Sequence, residues 1–404
     1  MKATAKTTTS LAVMMLLQYL MLAVWWVPLA AYLTNVGVED NLKSLILSSM
    51  AIGSMLSPII GAMADRYISA QKVLAYSNLV TAALLAGAGL TTNVMLTFAL
   101  IFLAMLFYMP SWSLTSAIAM THASPESFPR IRLFGSIGWV ASGIFSFAAV
   151  RFFGVAVFDG GSLPILCGSV IAVIAAITNF TLPNTPPSGK DTKISISEVL
   201  GLKAFSLLRD RNYLIFVLCA FAAMFAYALY YTFGSQFLQD RQFQYITITM
   251  NWGQVVEFIF LFFTAAIITK LGFKKAIAIG IAAMLTRYLA FYWGVASDVD
   301  AWYIVGVLFH GVIFGLFFVG GQIYTDTKAP FELRSQAQGM ISFLLMGVAL
   351  LLGNFTCGKL ISSNTIIDAS GAVSYNWHFI FGVTTIFSVA VLVLFLVFFK
   401  EEKK

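Results

Sequence analysis

Asn251, Gln254 and Glu257 follow one another at helical spacing and place two amides and a carboxylate along one face. They lie within residues 246–270, an apolar stretch long enough to cross a bilayer core as a helix. A charged side chain at the centre of such a helix costs roughly 2.5–3.5 kcal/mol on insertion scales, so it faces a cavity, finds a partner or carries a proton. Two readings of Glu257 stand: a protonatable group on the wall of a polar pathway, or one end of an interhelical hydrogen bond that only ties the bundle together. The rarity of midspan acids favours the first. Two other polar faces recur at helical spacing, Arg132, Ser136 and Trp139, and then His310, Phe314, Phe318 and Gln322. His310 titrates near physiological pH, and as a lone histidine in a span it is either a proton carrier or a hydrogen-bonded packing residue. Arg287 is the one charge in its own span, for which an ion pair or snorkelling to the interface is expected.

These residues do not make an enzyme. The three histidines, His122, His310 and His378, fall on an inner loop, a span and the end of an outer loop, so no nucleophile with a base and no metal-ligand cluster is visible. Cys167, Cys219 and Cys357 are odd in number and far apart, which implies neither a disulfide framework nor a metal site. No cofactor is expected.

The elements that must position the polar faces are membrane helices. The chain has 404 residues, 60% of them hydrophobic and only 10% charged, far too apolar for a soluble protein. Twelve apolar spans are predicted, at about 11–34, 42–64, 71–91, 94–120, 132–152, 163–182, 212–236, 246–270, 273–296, 301–326, 335–361 and 376–399. Lys2 and Lys6 ahead of the first apolar run resemble a signal peptide, but that run continues to Leu33 and reads as an uncleaved helix. With the N-terminus inside, nineteen of the 24 Lys and Arg fall on inner segments and four on outer ones, so both termini are expected in the cytoplasm of a multi-pass plasma-membrane protein. The basic residues sit in short loops rather than on one face, so the net charge of +7 is no sign of nucleic-acid binding. The longest polar interval, 183–211, reads as a cytoplasmic linker with a short amphipathic helix between six-span halves at 1–182 and 212–404. That layout predicts two pseudo-symmetric bundles around a central site.

Motifs narrow the reading. Gly61, Asp65 and Arg66, with Lys72 closing the loop between spans two and three, resemble the gating signature of the major facilitator superfamily. Gln18 in span one, Tyr108 and Pro110 in span four, Arg132, Gly135 and Gly138 opening span five, Gln254 and Glu257 in span eight, and Arg334, Gln338 and Gly339 opening span eleven together resemble the nucleoside:proton symporters of that superfamily. The resemblance runs almost end to end. It implies the major facilitator fold and import of a purine or pyrimidine nucleoside with protons, by a monomer in the lipid bilayer. It also implies that Gln18, Arg132, Ser136, Trp139, Tyr231, Gln254, Glu257 and Phe314 face the substrate, with His310 where relatives carry a tyrosine; Trp25 or Trp26 offer further stacking surfaces, and Glu257 and His310 are the two candidates for the proton. The chain departs from the family where relatives carry amides, here Ala228 and Tyr231, and where a coupling aspartate is replaced by Gly315. A carrier of another small polar solute, an uncoupled facilitator or a drug exporter would share fold and topology, and would be told apart by transport that ignores the proton gradient.

Overall fold

In the computed structural model the chain is helical nearly throughout, with residues 5–57, 68–124, 127–187, 202–367, 369 and 373–400 described, the side chains of Pro129, Glu332 and Ser335 excepted. Gly61, Asp65 and Arg66 of the gating signature, and residues 188–201 of the linker, lie outside the described residues. Lys72 is exposed in the first turn of span three.

Ten helices among the described residues are long and apolar enough to cross a membrane. One of them, Ile246–Ser297, runs for 52 residues and changes direction at Gly272, whose φ of 80° and ψ of 169° suit a residue without a Cβ. It is therefore spans eight and nine joined end to end, divided where the apolar pattern breaks. The helix of span two starts at Asp40–Leu47 and resumes over 49–57. The architecture is that of twelve transmembrane helices. Two spans read as continuous in the sequence are interrupted at prolines: span one divides into Ala5–Trp26 and Leu29–Asn35 beside Pro28, and span four into Val94–Tyr108 and Ser111–His122 beside Pro110. A proline ring lacks the amide hydrogen and crowds the preceding turn, which is enough to break the ladder. Span ten, Ala301–Lys328, is wound as a π-helix over Ile313–Val319, and Phe343–Ala349 in span eleven does the same. The fold is all-α as expected, and among the described residues the strand structure is a short hairpin in the loop between spans eleven and twelve, where Thr365–Ile367 pairs antiparallel with Val373–Tyr375.

Two units divide the chain, Met1–Ser195 with Gln242–Ile248, and Ile196–Arg241 with Thr249–Lys404. In the first, span one packs on spans five and six, and span three on spans four and six. Leu11, Met14, Leu74, Leu114, Ile118 and Ile131 pack into one buried apolar core in this unit. In the second, span seven packs on spans eleven and twelve, and Phe237 meets Tyr303, Trp377 and Phe381 edge to face, with ring centroids 4.9–5.1 Å apart. Such interlocking matters because lipid tails are as apolar as the helices, leaving close packing and polar contacts to hold a bundle together. Leu90, Phe152, Phe262 and Ile386 project from the outer surface, where hydrocarbon is their natural solvent.

The first turn of span eight belongs to the first unit, where it meets a buried acidic side chain. Asp159, in the loop between spans five and six, accepts hydrogen bonds from the Thr247 amide at 3.1 Å, the Thr247 hydroxyl at 2.7 Å and the Ser146 hydroxyl at 2.9 Å. A carboxylate satisfies the free amides of a helix start and suits its dipole. Burial raises the Asp159 carboxyl pKa above the usual range, and these donors partly oppose that shift.

Candidate functional site

Each unit holds a cluster of the polar residues singled out in the sequence. In the first, span five carries Arg132, and its guanidinium carbon stands 4.4 Å from the centroid of the Tyr19 ring of span one. Tyr19 is in turn stacked on Trp112 of span four, at 5.8 Å and 11°. The result is a cation over an aromatic layer, an arrangement worth about 0.5–2 kcal/mol as water is excluded. Tyr108 fixes the layer: its hydroxyl donates to the Gln18 carbonyl at 2.7 Å and accepts from the Trp112 indole at 3.1 Å. Ser136 and Trp139 lie half-buried on the same helix as Arg132, and Trp139 packs against the core of Leu11, Leu74 and Ile131.

Gln18 is in a different situation. It is fully buried, and its amide is matched atom for atom by Asn78 of span three, with bonds of 3.1 and 2.9 Å in the two directions. Trp25 and Trp26 are also buried, edge to face with each other, and Trp25 packs against Gly168 of span six.

In the second unit the structure brings Gln254, Glu257 and His310 together. The Gln254 amide nitrogen lies 2.9 Å from the His310 Nε2, and His310 Nε2 lies 3.6 Å from the Glu257 carboxylate. Glu257 is 7% exposed and His310 3%. As placed, the Gln254 amide donates to Nε2, which makes His310 a neutral ring protonated on Nδ1, and Nδ1 has no hydrogen-bond partner among the described residues. A proton arriving at Nε2 turns that atom into a donor toward Glu257, so acid and imidazole are two bases that can share one proton.

Two glycines set this geometry. A Cβ at Gly253 of span eight would stand 2.8 Å from the His310 Cβ, and one at Gly311 of span ten would fall on the Glu257 amide nitrogen. Spans eight and ten therefore touch backbone to backbone where the polar groups meet, as small residues allow in membranes.

Beyond His310 the rings continue as a file. His310 faces Phe314 at 6.3 Å, Phe314 faces Phe318 at 5.8 Å, and Phe318 meets Tyr227 of span seven edge to face at 4.7 Å. Phe314 is only half-buried and sits in the π-helical stretch, a feature frequent at functional sites. Gln322, the fourth residue of that sequence face, is exposed, and its carbonyl accepts from Gln338. Tyr231 stacks on Tyr227 at 5.1 Å, and both lie within reach of the Glu257 charge.

The departures from the family pattern gain a physical setting. Ala228 is fully buried against Gly353 of span eleven, where a Cβ would come within 2.9 Å of the alanine methyl. A side chain longer than Ala228 would need span eleven to move. A Cβ at Gly315 would stand 2.9 Å from the Thr264 hydroxyl and 3.1 Å from the Phe260 Cβ, so an acid there has no room without repacking. Arg287 neither snorkels nor forms an ion pair: it is fully buried, lies 3.9 Å over the Tyr230 ring and has no carboxylate within ion-pair distance among the described residues. Tyr19, Trp112 and Tyr227 were not legible as site residues, because single aromatics among 37 Phe, 15 Tyr and 8 Trp carry no positional signal.

Comparison with known proteins agrees with this architecture. The family profile described as Nucleoside H+ symporter matches residues 5–404. YegT of Escherichia coli (strain K12) is 32% identical over 98% of this chain and 95% of its own length. The nucleoside permease NupG of the same organism is 24% identical over 97% of this chain and 96% of its own. The crystal structure of the nucleoside transporter NupG superposes with a TM-score of 0.85 at 22% identity, over 98% of this chain and the whole of that one.

Proposed function

The chain belongs to the nucleoside H+ symporter family, and from that membership we propose that Gln254, Glu257 and His310 form its proton-coupling centre. It is a multi-pass membrane transporter with the major facilitator fold, and it couples nucleoside import to proton movement. The observation that carries the assignment is the buried acid beside a buried imidazole, 3.6 Å apart, within membrane-spanning helices. The Arg132 layer in the first unit and Phe314, Tyr231 and Gln254 in the second each supply contacts to the nucleoside. Aromatic faces offer stacking of about 1–3 kcal/mol per base, by analogy with single-stranded nucleic-acid sites. Amide and charged groups read the ribose hydroxyls and the base edge, since a polar group left unpaired on binding is costly. Ser136 and Trp139 join Arg132 on its helical face, and Gln18 takes part only by giving up Asn78.

Proton and nucleoside are loaded on the outer side and released on the inner. The coupled proton supplies about 2.3 kcal/mol per 100 mV of membrane potential, enough to concentrate a substrate several tens of fold. The protein works as a monomer in the bacterial inner membrane with both termini cytoplasmic; the basic asymmetry supports that orientation, and one chain carries both clusters.

Uptake of a labelled nucleoside panel into proteoliposomes, with and without an imposed pH gradient, tests the reading. Accumulation above equilibrium that needs the gradient is expected, and alanine at Arg132, Trp139, Gln254 or Phe314 should weaken nucleoside binding while leaving the protein folded. Uptake indifferent to the gradient would make the protein an uncoupled facilitator. Unchanged binding in all four variants would remove the proposed contacts.

A further inference from the structure

Arg287, in span nine, has no exposed surface. Its Nε donates to the Gly306 carbonyl at 3.1 Å, its guanidinium lies on the Tyr230 ring with the Tyr288 hydroxyl beside it, and neither terminal nitrogen has a partner of good hydrogen-bond geometry among the described residues. A guanidinium does not lose its proton in a protein, so this positive charge is permanent, and a buried charge without compensation is strongly unfavourable.

The groups around it show where the compensation lies. Tyr227 and Tyr230 approach from span seven, Tyr288 from its own span with Cys357 of span eleven beyond, and His310 from span ten. Phenols and a thiol are neutral at cellular pH, and histidine is neutral or positive. The Tyr230 ring stands 5.9 Å from the His310 ring, and His310 stands 3.6 Å from Glu257. Glu257 is the one buried acid among the described residues of this unit.

We propose that Arg287 is a positioning residue for proton coupling, the fixed counter-charge of ionised Glu257, and that it limits the Glu257–His310 pair to one transferable proton. With Glu257 ionised and His310 neutral the cluster carries no net charge. One proton, on either base, brings it to +1. A second would bring it to +2 in a medium of low dielectric, where like charges repel steeply. The same positive charge keeps the proton loosely held, which lets it leave on the inner side.

This inference rests on the assignment of coupling to Glu257 and His310, and the test separates the two. The pH dependence of nucleoside uptake is measured in proteoliposomes at a fixed membrane potential, with substrate exchange as the check on folding. In Arg287→Gln the midpoint of uptake should move to higher pH by about one unit, a tenfold gain in proton affinity, and net accumulation should fall while exchange persists. Arg287→Lys, which keeps the charge, should stay near the parent midpoint. In a Glu257→Gln, His310→Phe background, which lacks both bases, the Arg287→Gln change should produce no shift. A parent-like midpoint in Arg287→Gln overturns the inference alone, whereas pH-driven accumulation surviving the loss of both bases in Glu257→Gln, His310→Phe overturns the assignment beneath it. If Arg287→Gln does not fold, the double variant Glu257→Gln, Arg287→Gln removes both charges and should recover exchange. A double variant that also fails to fold assigns Arg287 to packing and overturns the inference.

Discussion

Glu257 presents its carboxylate to an imidazole nitrogen that a glutamine amide already occupies. Such an acid has two ways to be tolerated in a low-dielectric interior, by holding a proton or by borrowing a charge, and a transporter can alternate between them. A glutamine in its place imitates the protonated acid in shape and hydrogen bonding but cannot release a proton. Glu257→Gln should therefore keep nucleoside binding and exchange while the accumulation ratio under a pH gradient falls from several tens to about one. Uptake and counterflow measured in the same vesicles separate these effects. Retained accumulation would move the carrier role to His310, and His310→Phe would be the variant to compare. Arg132 differs from Glu257 in being half-buried and seated on an aromatic ring, so its charge is already partly accommodated before any ligand arrives.

Among the helices, span eight matters most to the proposed coupling, because it carries Gln254 and Glu257 and is fixed at both its start and its middle. Its middle is held by glycine-mediated contact with span ten, its start by Asp159. Replacing Asp159 by alanine leaves the Thr247 amide and two hydroxyls without their acceptor and should cost about 1–3 kcal/mol, which asparagine should largely spare. The pH dependence has a definite sign. The folded protein holds the Asp159 proton more tightly than the unfolded chain does, so its contribution is full below the unfolded value of about 3.9 and is lost as pH rises through the folded value. Thermal unfolding of purified protein should therefore show stability declining across that interval in the parent and less so in Asp159→Asn. An identical slope in both would separate the carboxyl from acid stability.

At the scale of the whole molecule, each unit is internally complete, with its own aromatic or aliphatic core and its own polar cluster. This is what a transporter needs if its halves are to move as bodies while the chemistry inside each stays intact. Orientation follows from the loops. Single cysteines at Ser206, in the linker, and Ser374, in the hairpin between spans eleven and twelve, are both exposed and should react from opposite sides of the membrane, Ser206 from the cytoplasm. Impermeant thiol labelling of intact cells, after removal of the native cysteines, gives the answer. Labelling of Ser206→Cys from outside would invert the topology.

The sequence by itself determined the number of apolar spans and which face of span eight is polar, and it set the expectation of six-plus-six halves with the basic loops inside. Each of these depends on composition or on periods of a few residues along one helix. The tertiary structure decided which faces meet. Nothing in the pattern shows that Gln254 and Glu257 share one histidine 56 and 53 positions away, that Asn78 saturates Gln18, or that Arg287 is buried over Tyr230 instead of reaching the interface. Those outcomes depend on the azimuth and closeness of helices distant in the chain, set by small residues such as Gly253 and Gly311. A one-dimensional hydropathy pattern reports that a helix has a polar side, while the packing of three helices decides whether that side finds water, an amide or a permanent charge.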